Sequence, residues 1–124
     1  MTVKTLTAAD FESTVVANPI VLVDFWAPWC GPCRAFAPVF DRSSQNHPEI
    51  VHAKVDTDTE RDLAATVGIR SVPTIMAFRD GILIYSQPGA MSPAVLDDLI
   101  DQVKGLDMEK VHAKIAERKA AVRA

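Results

Sequence analysis

Apolar and polar positions fall in blocks along the chain, and the spacing changes character from block to block. Val3 to Leu6 is a short strand-like run. Thr7 precedes A-A-D-F-E, which predicts a helix with Thr7 as N-cap and Asp10 in its first turn. That helix should end near Asn18, because Asn18-Pro19 disfavours helical backbone. Ile20 to Trp26 is almost wholly apolar, interrupted by Asp24. A short run apolar on both faces predicts a central strand covered on both sides.

A second helix is expected to open near Cys30, with Pro32 in the first turn, where no N–H is required. Phe36, Val39 and Phe40 give it an apolar face. Pro38 lies inside this pattern, removes one backbone hydrogen bond and predicts a kink. The pattern stops by His47-Pro48, and Ile50 to Val55 is a second central-type strand. Asp58 or Thr59 is placed to cap a short helix, Glu60 to Val67, closed by Gly68. Thr74 to Phe78 and Ile82 to Tyr85 flank Arg79-Asp80-Gly81, a hairpin signal. Ser92-Pro93 forms a cap and first-turn pair. Val95, Leu96, Leu99, Ile100 and Val103 then recur at helical spacing until Gly105.

The order is strand, helix, strand, helix, strand, helix, hairpin, helix. It predicts an α/β domain over residues 1–105, a central mixed sheet flanked by helices. Residues 106–124 differ. They are rich in Ala, Lys, Glu and Arg, with Met108, Val111, Ile115 and Val122 at roughly helical spacing. This segment carries five basic and three acidic residues against eight and thirteen before it, so +2 against −5. It reads as an extra C-terminal helix, either solvated or loosely docked, or a contact for a partner.

Composition narrows the classes. The chain has 124 residues, 48% hydrophobic and 23% charged, in the range of an ordinary globular domain. A formal net charge of −3 argues against a general nucleic-acid binder, which needs a basic face. No apolar run approaches the ~20 residues that cross a bilayer. The N-terminus lacks the apolar stretch of a signal peptide. A cytoplasmic location and a monomer are the expectations. In a reducing compartment a close cysteine pair is more often catalytic or metal-binding than a structural staple.

Cys30 and Cys33 are the only cysteines, within W-C-G-P-C-R. A thiolate is the nucleophile, and an ordinary thiol is mostly protonated at neutral pH. The first turn of a helix offers free N–H groups and a partial positive charge that stabilise a thiolate at Cys30. Cys33 lies one turn on, so the sulfurs can meet and Cys33 can attack a mixed disulfide formed on Cys30. The rival is zinc. Cys30, Cys33, His47 and His52 satisfy the spacing of a two-Cys, two-His finger. Pro48 and the β-branched pair Ile50-Val51 separate the histidines, however, so one helix cannot carry both. Inert core cysteines are a third reading, disfavoured by the flanking Gly31 and Pro32.

W-C-G-P-C after V-D-F-W-A-P resembles the active-site signature of the thioredoxin family. Pro38, A-K-V-D-T-D at 53–58, G-I-R-S-V-P-T at 68–74, F-R-D-G at 78–81 and Gly89-Ala90 agree in order and spacing. The resemblance spans residues 3–105, and several stretches look actinobacterial. It implies a thioredoxin fold and reduction of protein disulfides, with Cys30 as nucleophile and Cys33 as resolving thiol. Pattern alone favours a solvated Asp24 and an exposed Lys54. The resemblance instead implies a buried Asp24 that moves the Cys33 proton, with Lys54 beside it. It also implies a cis Val72-Pro73 bond facing the cysteines, and an apolar client surface of Trp29, Gly31, Pro32, Val72, Pro73, Gly89 and Ala90. Trp26 and Phe25 are expected beneath the site. No bound cofactor is implied; electrons would come from NADPH through a flavin-containing thioredoxin reductase. Pro88 departs from the aliphatic residue common before the Gly, and Arg34 from the commoner Lys. A thiol oxidase or isomerase on the same fold, and a binding module with an idle disulfide, remain alternatives.

Overall fold

A computed structural model describes residues 2–123. The strands are β1 (Val3–Thr5), β2 (Ile20–Trp26), β3 (Val51–Asp56), β4 (Thr74–Arg79) and β5 (Ile82–Pro88). The helices are α1 (Phe11–Ala17), α2 (Gly31–Asn46), α3 (Arg61–Thr66), α4 (Pro93–Lys104) and α5 (Met108–Arg123). Among the described residues the strands form one sheet in the order β1-β3-β2-β4-β5. β1, β3 and β2 run parallel, whereas β4 is antiparallel to both β2 and β5. The fold is the expected α/β arrangement with an added C-terminal helix.

The period of two along β2 sorts the core. Val21, Val23 and Phe25 point to one face, where they pack with Phe11, Val15, Ala53, Val55, Met76 and Phe78. Leu22 points to the other, with Phe36, Phe40, Ile75, Leu96 and Ile100 from the neighbouring strand and from α2 and α4. Asp24 follows Leu22 by two residues and so shares the face that α2 covers. On β3 the same rule places His52 and Lys54 on that face.

Three local predictions need correction. Thr7 is not the α1 N-cap. The helix begins at Phe11, and Asp10 occupies the cap position with its side chain turned back, accepting from the Thr7 N–H at 2.7 Å. A tight turn over residues 8–10 precedes it. Neither Asp58 nor Thr59 caps α3. The helix starts at Arg61, and the turn before it is held by Asp56, whose side chain accepts from the Asp58 N–H at 2.8 Å. β5 reaches Pro88, three residues past Tyr85, after a register shift at Ala77/Phe78. The hairpin itself turns on Asp80 and Gly81, both at positive φ (53° and 79°), the geometry for which Asp-Gly is suited.

The end of α4 shows how Gly105 stops a helix without left-handed backbone, since its φ is −82°. Arg79 does the capping. Its Nη1 donates to the carbonyls of Val103 (2.8 Å), Lys104 (3.1 Å) and Leu106 (3.0 Å) at and just beyond the helix end, where intrahelical partners run out. Asp107 then starts α5 by accepting from the Glu109 and Lys110 N–H groups at 3.1 and 3.3 Å. Met108, Val111 and Ile115 are half-buried, and from residue 116 to 122 every side chain is exposed.

Candidate functional site

The cysteines sit where β2 hands over to α2. Ala27 to Trp29 make the turn, and Cys30 takes the N-cap position with extended backbone. Its Sγ accepts from the Cys33 N–H at 3.2 Å, so the sulfur meets one of the free donors of the first helical turn. Cys30 and Cys33 are disulfide-bonded, with Cα atoms 5.2 Å apart. In this closed form both residues are buried, at 4% and 2% exposure. Exposure therefore does not separate attacker from resolver; their neighbours do. Cys30 Sγ lies 3.6 Å from the Val72 carbonyl oxygen, toward the outer surface. Cys33 instead lines a small, partly open cavity of about 100 Å³ with Asp24, Trp26, Arg34, Ala37 and Lys54.

Asp24 is 5% exposed, so the solvated placement favoured by pattern alone is overturned. Its Oδ1 has no hydrogen-bond partner. Burial raises its pKa from 3.8 to about 7, against the opposing pull of the Lys54 ammonium. Lys54 stands directly beside Asp24 in the β2–β3 register. It forms no ion pair with Asp24; its Nζ lies over the Trp26 ring, 5.4 Å from the centroid. The carboxyl is thus left with a depressed preference for charge and a titration range near neutrality.

The surface residues gather on one side of Cys30. The Val72-Pro73 bond is cis, and the Gly89 N–H donates to the Pro73 carbonyl at 2.8 Å, tying the two loops together. Gly31, Pro32, Gly89 and Ala90 are exposed, Val72 is half-buried and Pro73 is buried. Trp29 is 69% exposed, and its indole N–H donates to Asp58 Oδ1 at 3.3 Å. Phe25 is fully buried and Trp26 half-buried beside the cysteines.

The zinc spacing has no counterpart in space. Among the described residues no three His, Cys, Asp or Glu side chains gather as a metal would need. Both ring nitrogens of His52 are engaged inside the core. Nδ1 faces the Ile50 carbonyl at 3.1 Å and Nε2 the Ser43 hydroxyl at 3.0 Å. A carbonyl only accepts, so Nδ1–H donates to it and Nε2 accepts from Ser43.

Comparison with known proteins decides the family. The profile described as Thioredoxin matches residues 2–103. The chain belongs to the thioredoxin family. The Streptomyces coelicolor protein named "Putative thioredoxin 2" is 44% identical over 115 residues, spanning 93% of this chain and 86% of that protein. Thioredoxin 1 of Synechococcus elongatus is 44% identical over 99 residues, 78% of this chain and 92% of its own. A thioredoxin of Halobacterium salinarum, solved as a point mutant, superposes with a TM-score of 0.79 at 31% identity, covering 84% of this chain and 92% of its own.

As a thioredoxin, the chain is a thiol–disulfide oxidoreductase whose redox-active pair is Cys30 and Cys33. No helix among the described residues is long and apolar enough to cross a membrane. Sequence reasoning passed over Asp58, which steadies the Trp29 indole, and Arg61 and Arg70, which reach the groove beside it. Asp58 lies in a segment read as a helix cap, Arg61 in the predicted helix and Arg70 in a loop, and no periodicity marks which of their side chains converge.

Proposed function

We propose that the chain is a general reductant of protein disulfides, acting in the cytoplasm as a single copy. The observation that carries the reading is Asp24, buried unpaired in the cavity that Cys33 lines, with a titration range near pH 7. A redox-idle binding module has no use for a desolvated carboxyl there. Both sulfurs, Asp24 and the surrounding surface come from one chain, so one copy is sufficient.

Cys30 thiolate attacks one sulfur of the client disulfide. A Cys30–client disulfide forms, the client S–S bond breaks, and the departing thiolate takes a proton from solvent. Cys33 then gives its proton to the Asp24 carboxylate and attacks Cys30 Sγ. The Cys30–Cys33 bond forms and the second client thiolate leaves, taking up a proton. The client gains two electrons and two protons, and the chain is left as the disulfide. Lys54 holds part of the Asp24 population charged and so ready to accept. Trp29, Gly31, Pro32, Val72, Gly89 and Ala90 form the contact surface around the buried Pro73, and the Val72 backbone offers a strand-like edge to an extended client segment. The chain binds no cofactor of its own. Two electrons from NADPH, passed through a flavin-containing thioredoxin reductase, reopen the Cys30–Cys33 bond. The family resemblance supports that partner.

The test is a coupled assay with the host reductase, NADPH and a disulfide peptide. NADPH oxidation should require this chain with both cysteines present. No oxidation above the reductase-only rate would refute the recycling scheme.

A further inference from the structure

Beside the cysteines lies an open groove of about 310 Å³ between the loop that ends at Val72 and helix α3. Its apolar lining includes Trp29, Ala64, Ile69 and Val72, and the charged side chains on it are Arg61 and Arg70. Both arginines are exposed, and neither is in an ion pair among the described residues. Arg61 Nε donates to a backbone carbonyl, that of Asp58, at 3.3 Å, which leaves its charge uncompensated. Asp58 accepts from Trp29 and keeps its charge at the rim, and Glu60 accepts from the Ala8 N–H at 2.7 Å, away toward α1; neither carboxylate lines the groove. Asp62 lies in the first turn of α3 but does not line the groove. A chain of net charge −3 thus presents a cationic strip at the groove next to its reactive sulfur.

We propose that this groove seats the residues flanking a client's reactive cysteine and selects for carboxylates among them. The inference deepens the disulfide-reductase reading and rests on it. The distances suit it. Cys30 Sγ is 3.6 Å from the Val72 oxygen, so a client cysteine joined to Cys30 lies at that end of the groove. An extended segment advances ~3.3 Å per residue. Arg70 lines the groove two residues from Val72, so a client segment running along the groove from Cys30 passes it within the first few residues. Arg61 lies on the opposite wall, from α3, and reaches the same stretch. Arginine's planar fork suits a carboxylate in two-point contact. Charge pairs at such an open rim act mainly on association rate and fade with salt.

The experiment uses the dithiol form of the full chain and short disulfide-linked peptides that differ only in carrying Glu, Gln or Lys near the cysteine. Each rate is divided by that of the same peptide with free dithiothreitol, which removes the peptide's own reactivity. The Glu peptide should react about fivefold faster than the Gln peptide at low salt, and the Lys peptide slower. The Glu-to-Gln ratio should fall toward one at ~0.5 M salt. It should also fall toward one in the Arg61→Gln/Arg70→Gln double variant. A ratio near one in the native chain, or one undiminished in the double variant, overturns the inference. Failure to reduce any of the peptides would instead remove the reductase reading beneath it.

Discussion

Asp24 stands on the covered face of a central strand, and its burial sets two measurable quantities. Its pKa is 3.8 in an ordinary setting and about 7 in the fold. Between those values the folded chain binds a proton that the unfolded chain has released. Stability therefore falls as pH rises from about 4 to about 7 and is flat above that. Asp24→Asn removes the penalty of burying the charge. It should stabilise the disulfide form at pH 8 by up to about 4 kcal/mol, at ~1.4 kcal/mol per pKa unit, and by little at pH 4. Denaturant unfolding at the two pH values checks this; equal effects at both would refute it. His52 contributes the opposite slope. Burial lowers its pKa, so its share of stability is present above its ordinary value of 6.5 and is lost as pH falls through the lower folded value. The sequence displayed Asp24 as a lone charge in an apolar run, and strand alternation alone could have put it under α2. The penalty it carries is invisible in the pattern, because it depends on α2 and β3 closing over the carboxyl.

At the scale of elements, what the sequence showed best were features contained within a few residues. Ser92 caps α4 as its spacing to Pro93 suggested, accepting from the Val95 N–H at 3.2 Å. Asp80-Gly81 makes the hairpin. Local spacing misjudged the entries to α1 and α3, where a carboxylate (Asp10 or Asp56) holds the preceding turn instead of capping the helix. It was silent on Arg79, whose partners lie about a fifth of the chain away. Arg79→Met keeps the aliphatic stem but removes the guanidinium donor that the carbonyls of Val103, Lys104 and Leu106 share. Thermal or denaturant unfolding should show a loss of about 1–3 kcal/mol. No loss would show that water caps α4 equally well.

For the whole molecule, the block order of the chain foretold the mixed sheet, because each crossover helix and the single tight hairpin leave few topologies open. The clustering around Cys30 was legible only through the family resemblance. Trp29, Val72 and Gly89 come from three separate loops, and nothing in their local spacing brings them together. The tail belongs to this scale as well. α5 is half-buried at Met108, Val111 and Ile115, and its far end is open, with Val122 87% exposed. It contributes no residue to the cavity of Cys33 or to the groove beside Trp29. A chain ended at Gly105 should reduce a disulfide peptide at the full-length rate, measured side by side. A severalfold drop would assign the tail a part in client contact.

The central claim is a two-step exchange in which Cys30 attacks and Cys33 resolves. Trapping tests it most directly. Reduced Cys33→Ser protein mixed with a disulfide peptide and analysed by mass spectrometry should gain the mass of one peptide half. The adduct should map to Cys30, and dithiothreitol should release it. Cys30→Ser should gain far less. An absent adduct in Cys33→Ser, or equal adducts on both variants, would contradict the assignment of attacker and resolver.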